Sequence, residues 1–161
     1  MQAETPEALG AIARAIGRVL RGGDAVLLSG PVGSGKSHFA RALIQDRLAA
    51  IGRAEDVPSP SFTLVQTYDL GDATLWHADL YRLRGEDDAA ELGLEDAFDT
   101  AICLVEWPDR LGALAPSRRI DVALSFSGLS DETRTVRIVL QGPDWDAVQA
   151  VLERRRQEQR A

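Results

Sequence analysis

Apolar residues near the start of the chain recur at helical spacing. Leu9, Ile12, Ala13, Ile16, Val19 and Leu20 share one face, as an amphipathic helix requires. Thr5 and Pro6 are suited to its N-cap and first helical position, and Gly22-Gly23 is suited to end it. The pattern then changes. "AVLLSG" is a short unbroken apolar run, expected of a strand covered on both faces. A glycine-rich stretch follows, and then a second helix with Phe39, Leu43, Ile44 and Leu48 inward, ending near Gly52.

Further along, "FTLVQTYDL" and "ATLWHADL" flank a Gly-Asp pair and predict an antiparallel hairpin with a tight turn. Period-two alternation puts Leu75, His77, Asp79 and Tyr81 on one face. "AICLVEW" is another apolar strand, ending in Glu106. "IDVALSFSG" and "RTVRIVLQG" form a second expected hairpin around "LSDET". Helical spacing returns from Trp145, predicting a C-terminal helix over about 145–158 with a frayed tail. A buried β–α–β start followed by hairpins predicts an α/β layer fold with a mixed parallel and antiparallel sheet. No repeat or Pro/Gly/Ser-rich linker divides the sequence, so 1–161 is expected to form one domain.

Composition adds mainly exclusions. Hydrophobic residues make up 45% and charged residues 27% of the 161, ordinary for a globular protein. The longest apolar runs are too short to cross a bilayer, and "MQAETPEALG" does not read as a signal peptide. The single cysteine, Cys103, cannot form an internal disulfide and sits in "AICLV", where a buried, inert thiol is expected. These features point to a cytoplasmic protein without membrane association. The net charge of −7 is local: residues 85–100 hold seven carboxylates and no base. Removing those seven from the chain's 25 leaves 18, equal to the 18 basic residues. The acidic run fits either a solvated helical face or a docking surface for a basic partner. With no extended basic face, the chain is poorly suited to gripping nucleic acid by itself.

The chemistry concentrates in "GPVGSGKS", residues 30–37, which holds the only lysine; the other 17 basic residues are arginine. The stretch fits G-x-x-x-x-G-K-[S/T], lying after a buried strand and before a helix, the context of a phosphate-binding P-loop. The fold expected is therefore a three-layer P-loop NTPase type. The cradle comprises Gly30, Val32, Gly33, Ser34, Gly35, Lys36, Ser37 and His38. Glycines there permit positive φ and bring backbone N–H groups around phosphate, and the helix N-terminus adds its dipole. Lys36 is a slim point charge suited to the β- and γ-phosphates of a nucleotide, where a planar guanidinium is too broad. Ser37 offers a hydroxyl to Mg²⁺.

A P-loop works with carboxylates at neighbouring strand ends. Glu106 ends "AICLV" in the manner of a Walker B strand, with Glu in place of the more usual Asp, and Asp79 ends "ATLWHA". His77 is suited to orienting Asp79, to lining the site, or simply to a satisfied place in the core. His38 is expected to point its side chain away from phosphate. "VPSPSFTLV" reads either as a stiff loop or as a switch segment that brings Thr63 or Ser61 to the γ-phosphate or metal.

Taken together, "GPVGSGKS", "SPSFTLV", "HADLYRL", "ELGLEDAFD" and "LVEWPDRLG" occur in an order and spacing that resembles the TsaE family. These are small bacterial P-loop ATPases of tRNA threonylcarbamoyladenosine modification. The resemblance runs from about Thr5 to Pro116 and more loosely to the end. It implies a slow, Mg²⁺-dependent ATPase working with the TsaD and TsaB proteins and meeting tRNA only indirectly. On matching positions it implies that Lys36 and Ser37 are the phosphate lysine and magnesium hydroxyl, Asp79 the acidic residue needed for activity, Glu106 the metal-linked glutamate, and Thr63 part of the switch-like segment. Pro31, Val32, Ser34, Ser37, Ser61 and Ala78 depart from the usual pattern, yet Ser37 and Ser61 keep the hydroxyl. Two other readings of the loop are a small-molecule kinase and a non-hydrolysing, ATP-dependent binding switch.

Overall fold

The computed structural model describes all residues from Met1 to Ala161. Seven strands form one sheet: β1 Gln2–Ala3, β2 Ala25–Ser29, β3 Val65–Asp69, β4 Thr74–Asp79, β5 Ile102–Glu106, β6 Arg119–Phe126 and β7 Arg134–Gln141, in the spatial order β1-β7-β6-β2-β5-β4-β3. The four central strands β6, β2, β5 and β4 run parallel; β3 and β7 pair antiparallel on either side, and β1 adds to β7. The mixed sheet is as the sequence predicts. β1 is not foreseen, because a two-residue strand has no periodicity of its own.

Helices cover both faces, giving three layers. Helix α1 (Pro6–Gly17), helix α2 (Lys36–Ala49) and helix α5 (Asp146–Arg160) pack on one face over Val26, Leu28, Ile102, Leu104, Ile120 and Val122. On the other face, α3 (Glu86–Ala90), α4 (Leu94–Thr100) and the 3-10 turns of Pro108–Leu114 pack over Ala25, Leu27, Cys103 and Val105. Alternate residues of β2 and β5 thus enter opposite cores, which is why these strands read as unbroken apolar runs. Thr5 caps α1, its Oγ1 accepting from Ala8 N at 3.1 Å, with Pro6 at the first position.

Four boundaries differ from the sequence reading, the first being the end of α1, which stops at Gly17 and not at Gly22-Gly23. The first hairpin strand begins at Val65, not Phe62, because Leu64 adopts φ +68° and breaks the extended run. The acidic stretch is two short helices parted at Gly93, φ +79°. The C-terminal helix continues to Arg160. Cys103 is fully buried, and burial pushes its thiol pKa up to about 12. No helix is long and apolar enough to cross a membrane.

The register fixes where the functional side chains meet. Leu28 of β2 lies beside Glu106 of β5, which lies beside Asp79 of β4. Three parallel strands therefore end together, and the chain leaves β2 directly into the glycine-rich loop. Open α/β sheets bind ligands at such carboxyl ends.

Candidate functional site

Backbone sterics set the shape of the loop. Gly30 has φ +146°, and a Cβ there would lie 2.4 Å from Leu124 O and 2.6 Å from Ser34 Oγ. Gly35 is the N-cap of α2 at φ +108°, where a Cβ would meet Leu9 at 2.7 Å. Both positions therefore require glycine. On the outer side, Arg134 of β7 donates from Nε to Ser34 O (3.1 Å) and from Nη2 to Gly33 O (3.2 Å), so the second hairpin braces the loop. The Ser34 hydroxyl is buried without a partner.

Lys36 is 5% exposed. Its ammonium donates to Gly30 O at 2.7 Å and Pro31 O at 3.0 Å and lies 4.3 Å from the Trp107 ring centroid, within cation–π range. Burial holds its pKa below the ordinary lysine value, partly offset by the nearby negative charge of Glu106 and Asp79. Trp107 reaches this place through φ +59° immediately after β5. Tyr81 packs on it, ring centroids 4.9 Å apart.

Ser37 Oγ, in the first turn of α2, donates to Glu106 Oε1 at 2.8 Å. Glu106 is 1% exposed, and its other oxygen, Oε2, accepts from His77 Nε2 at 2.7 Å. His77 therefore bonds to Glu106 and not to Asp79. Asp79 is 7% exposed; Oδ1 accepts from Tyr81 N at 3.1 Å, and Oδ2 has a long 3.4 Å contact from Ser61 Oγ. No group of three or more His, Cys, Asp or Glu side chains is arranged to hold a metal unaided. The oxygen donors Ser37 and Glu106 fit Mg²⁺, which takes one or two protein ligands and completes its shell with phosphate and water.

These residues open onto a cleft of 520 Å³ lined also by Val32, Gly33, Gly35, Phe62 and Arg82. The structure thus gathers Lys36, Ser37, Asp79 and Glu106 around one space. Thr63 does not line it: its hydroxyl accepts from Gln66 Nε2 at 2.9 Å on the exposed side, and Ser61 occupies the cleft wall. His38 turns its ring to Pro6 O at 2.7 Å and borders the cleft as well. Trp107 and Arg134 acquire roles that the sequence did not signal, because both depend on long-range packing.

The chain is similar to known proteins along most of its length. Residues 3–136 match the family model described as "Threonylcarbamoyl adenosine biosynthesis protein TsaE". A tRNA threonylcarbamoyladenosine biosynthesis protein TsaE from Rickettsia bellii is 36% identical over 126 residues, covering 78% of this chain and 84% of the relative. One from Bacillus subtilis is 30% identical over 150 residues, covering 92% and 90%. The crystal structure of Bacillus subtilis YdiB superposes with a TM-score of 0.74 at 24% identity, covering 96% of this chain and 93% of that one, a likeness of fold.

Proposed function

This chain belongs to the TsaE family of threonylcarbamoyladenosine biosynthesis proteins, and from that premise we propose that it is a slow, Mg²⁺-dependent ATPase supporting tRNA modification together with TsaD and TsaB. The observation that carries this reading is the convergence of Lys36, the Ser37–Glu106 pair and Asp79 on one cleft at the ends of three adjacent parallel strands.

The residues divide the work. The first turn of α2 has backbone N–H groups without intrahelical partners, and with Lys36 they would receive the phosphates. Lys36 is already poised, since the two loop carbonyls it holds are weaker partners than phosphate oxygens. Ser37 and Glu106 would hold Mg²⁺, which when bound neutralises charge on the phosphates. Both oxygens of Glu106 are engaged, whereas Asp79 Oδ2 has only the long contact from Ser61. Asp79 is therefore the group available to orient the attacking water and accept its proton. A second cavity of 240 Å³, lined by Thr5, Pro6, Leu9, Ser34, His38 and Arg134, adjoins the same helix start.

The test is calorimetric titration of ATP with and without Mg²⁺, followed by phosphate release with and without TsaD and TsaB. Mg²⁺-dependent binding and partner-dependent release are expected. ADP formation that responds to a mixture of small metabolites, without partner proteins, would favour a kinase. Intact ATP through many modification cycles would favour a binding switch.

A further inference from the structure

His77 is 1% exposed, in the middle of the α2-side core, yet it carries two polar ring nitrogens. Nδ1 is buried with no partner, and Nε2 makes one bond, to Glu106 Oε2 at 2.7 Å. A leucine at this position would spare the cost of burying an unpaired polar atom. The only interaction of the ring that offsets this cost is the one with the carboxylate. The side chain also lies on the same face as Leu75 and Asp79, and β4–β5 pairing brings it diagonally across to Glu106.

Glu106 has two side-chain donors, Ser37 and His77. Ser37 is itself the hydroxyl assigned to the metal, which would bind its lone pair and leave its O–H free to donate. His77 is the donor to Glu106 that would take no part in holding the metal. We propose that His77 is a positioning residue: its Nε2–H holds Glu106 Oε2 so that Oε1 faces Ser37 and the metal position. This rests on the ATP–Mg²⁺ reading of the cleft for its consequence, but not for the bond. An ionised carboxylate only accepts, so the ring nitrogen that faces Glu106, Nε2, carries a hydrogen. Removing a hydrogen bond that orients a metal ligand commonly weakens metal affinity or activity by roughly 10- to 100-fold.

The experiment has two arms. With two histidines in the chain, the ring nitrogens of His77 are readily assigned by NMR in the free protein. At fixed pH the Nε2–H tautomer is expected, with its resonance displaced in Glu106→Gln; an Nδ1–H tautomer, or a spectrum unchanged by Glu106→Gln, overturns the proposal. In the second arm the Mg²⁺ concentration for half-maximal nucleotide binding is measured for H77L and H77Q. Gln retains a donor near the Nε2 position. H77L is expected to need about tenfold or more Mg²⁺, with Mg²⁺-free nucleotide affinity unchanged and H77Q restoring most of the loss. Equal Mg²⁺ dependence in wild type and H77L, or equal loss in H77L and H77Q, reduces His77 to core filling. Wild-type protein that binds no nucleotide refutes the ATPase reading instead, and the NMR arm alone then decides the bond.

Discussion

Ser37 and Glu106 stand 69 positions apart in the chain and share a hydrogen bond of 2.8 Å in the wall of the cleft. One belongs to the first turn of α2 and the other to the end of β5, so the bond links the loop to the strand that supplies its carboxylate. Ser37→Ala and Glu106→Gln are therefore expected to bind ATP without Mg²⁺ much as the parent does. Both should lose most of the affinity that Mg²⁺ adds. Titrations at paired Mg²⁺ concentrations check this, and a full Mg²⁺ response in both variants would remove the pair from the metal site.

Lys36→Ala is expected to lose nucleotide binding by at least about 100-fold, the worth of roughly 3 kcal/mol of charge-assisted hydrogen bonding. Lys36→Arg should fare little better, although it keeps the charge. The ammonium is enclosed between two loop carbonyls and the Trp107 ring, and a planar guanidinium does not fit such a slot. Calorimetry on both variants tests geometry against charge alone.

Asp79→Asn should retain nucleotide affinity and lose turnover by about 10²- to 10⁴-fold, the range of a positioned proton acceptor. Single-turnover hydrolysis is the suitable measurement. The neighbouring bond from Tyr81 N to Oδ1 survives in Asn, so the variant removes the free oxygen's basicity with little change in the turn.

The chain's only lysine also provides one resolvable ammonium signal. Burial lowers the Lys36 pKa, and Glu106 and Asp79 raise it. NMR titration should thus place it below the ordinary lysine value, and lower again in Glu106→Gln. The sign for stability follows from proton uptake: below the depressed pKa the native state carries the full cost of the buried charge. In the window between the depressed and ordinary values the unfolded chain binds more protons, so this contribution to stability rises with pH.

Much of the site was readable from local pattern. The strand-loop-helix context of residues 30–37, and carboxylates closing apolar strands at Asp79 and Glu106, each follow from spacing within a few residues. What escaped depends on partners far away in the chain. Trp107 covers Lys36 only because φ +59° turns it back from β5. Arg134 braces Gly33 and Ser34 across about a hundred positions. The alternation that put His77 on the face of Asp79 did not reveal that its partner is Glu106, since that requires the β4–β5 register. The residues of "SPSFTLV" offer Thr63 or Ser61 and the resemblance favours Thr63, whereas the turn ending in Leu64 at φ +68° brings Ser61, not Thr63, to the cleft.

The most direct test of the central claim is threonylcarbamoyladenosine formation on tRNA by TsaD and TsaB, followed with ATP consumption, when wild-type protein or Lys36→Ala is supplied. Sustained modification with ATP turnover is expected for the wild type and neither for the variant. Equal modification with Lys36→Ala would contradict an ATP-driven role for this cleft.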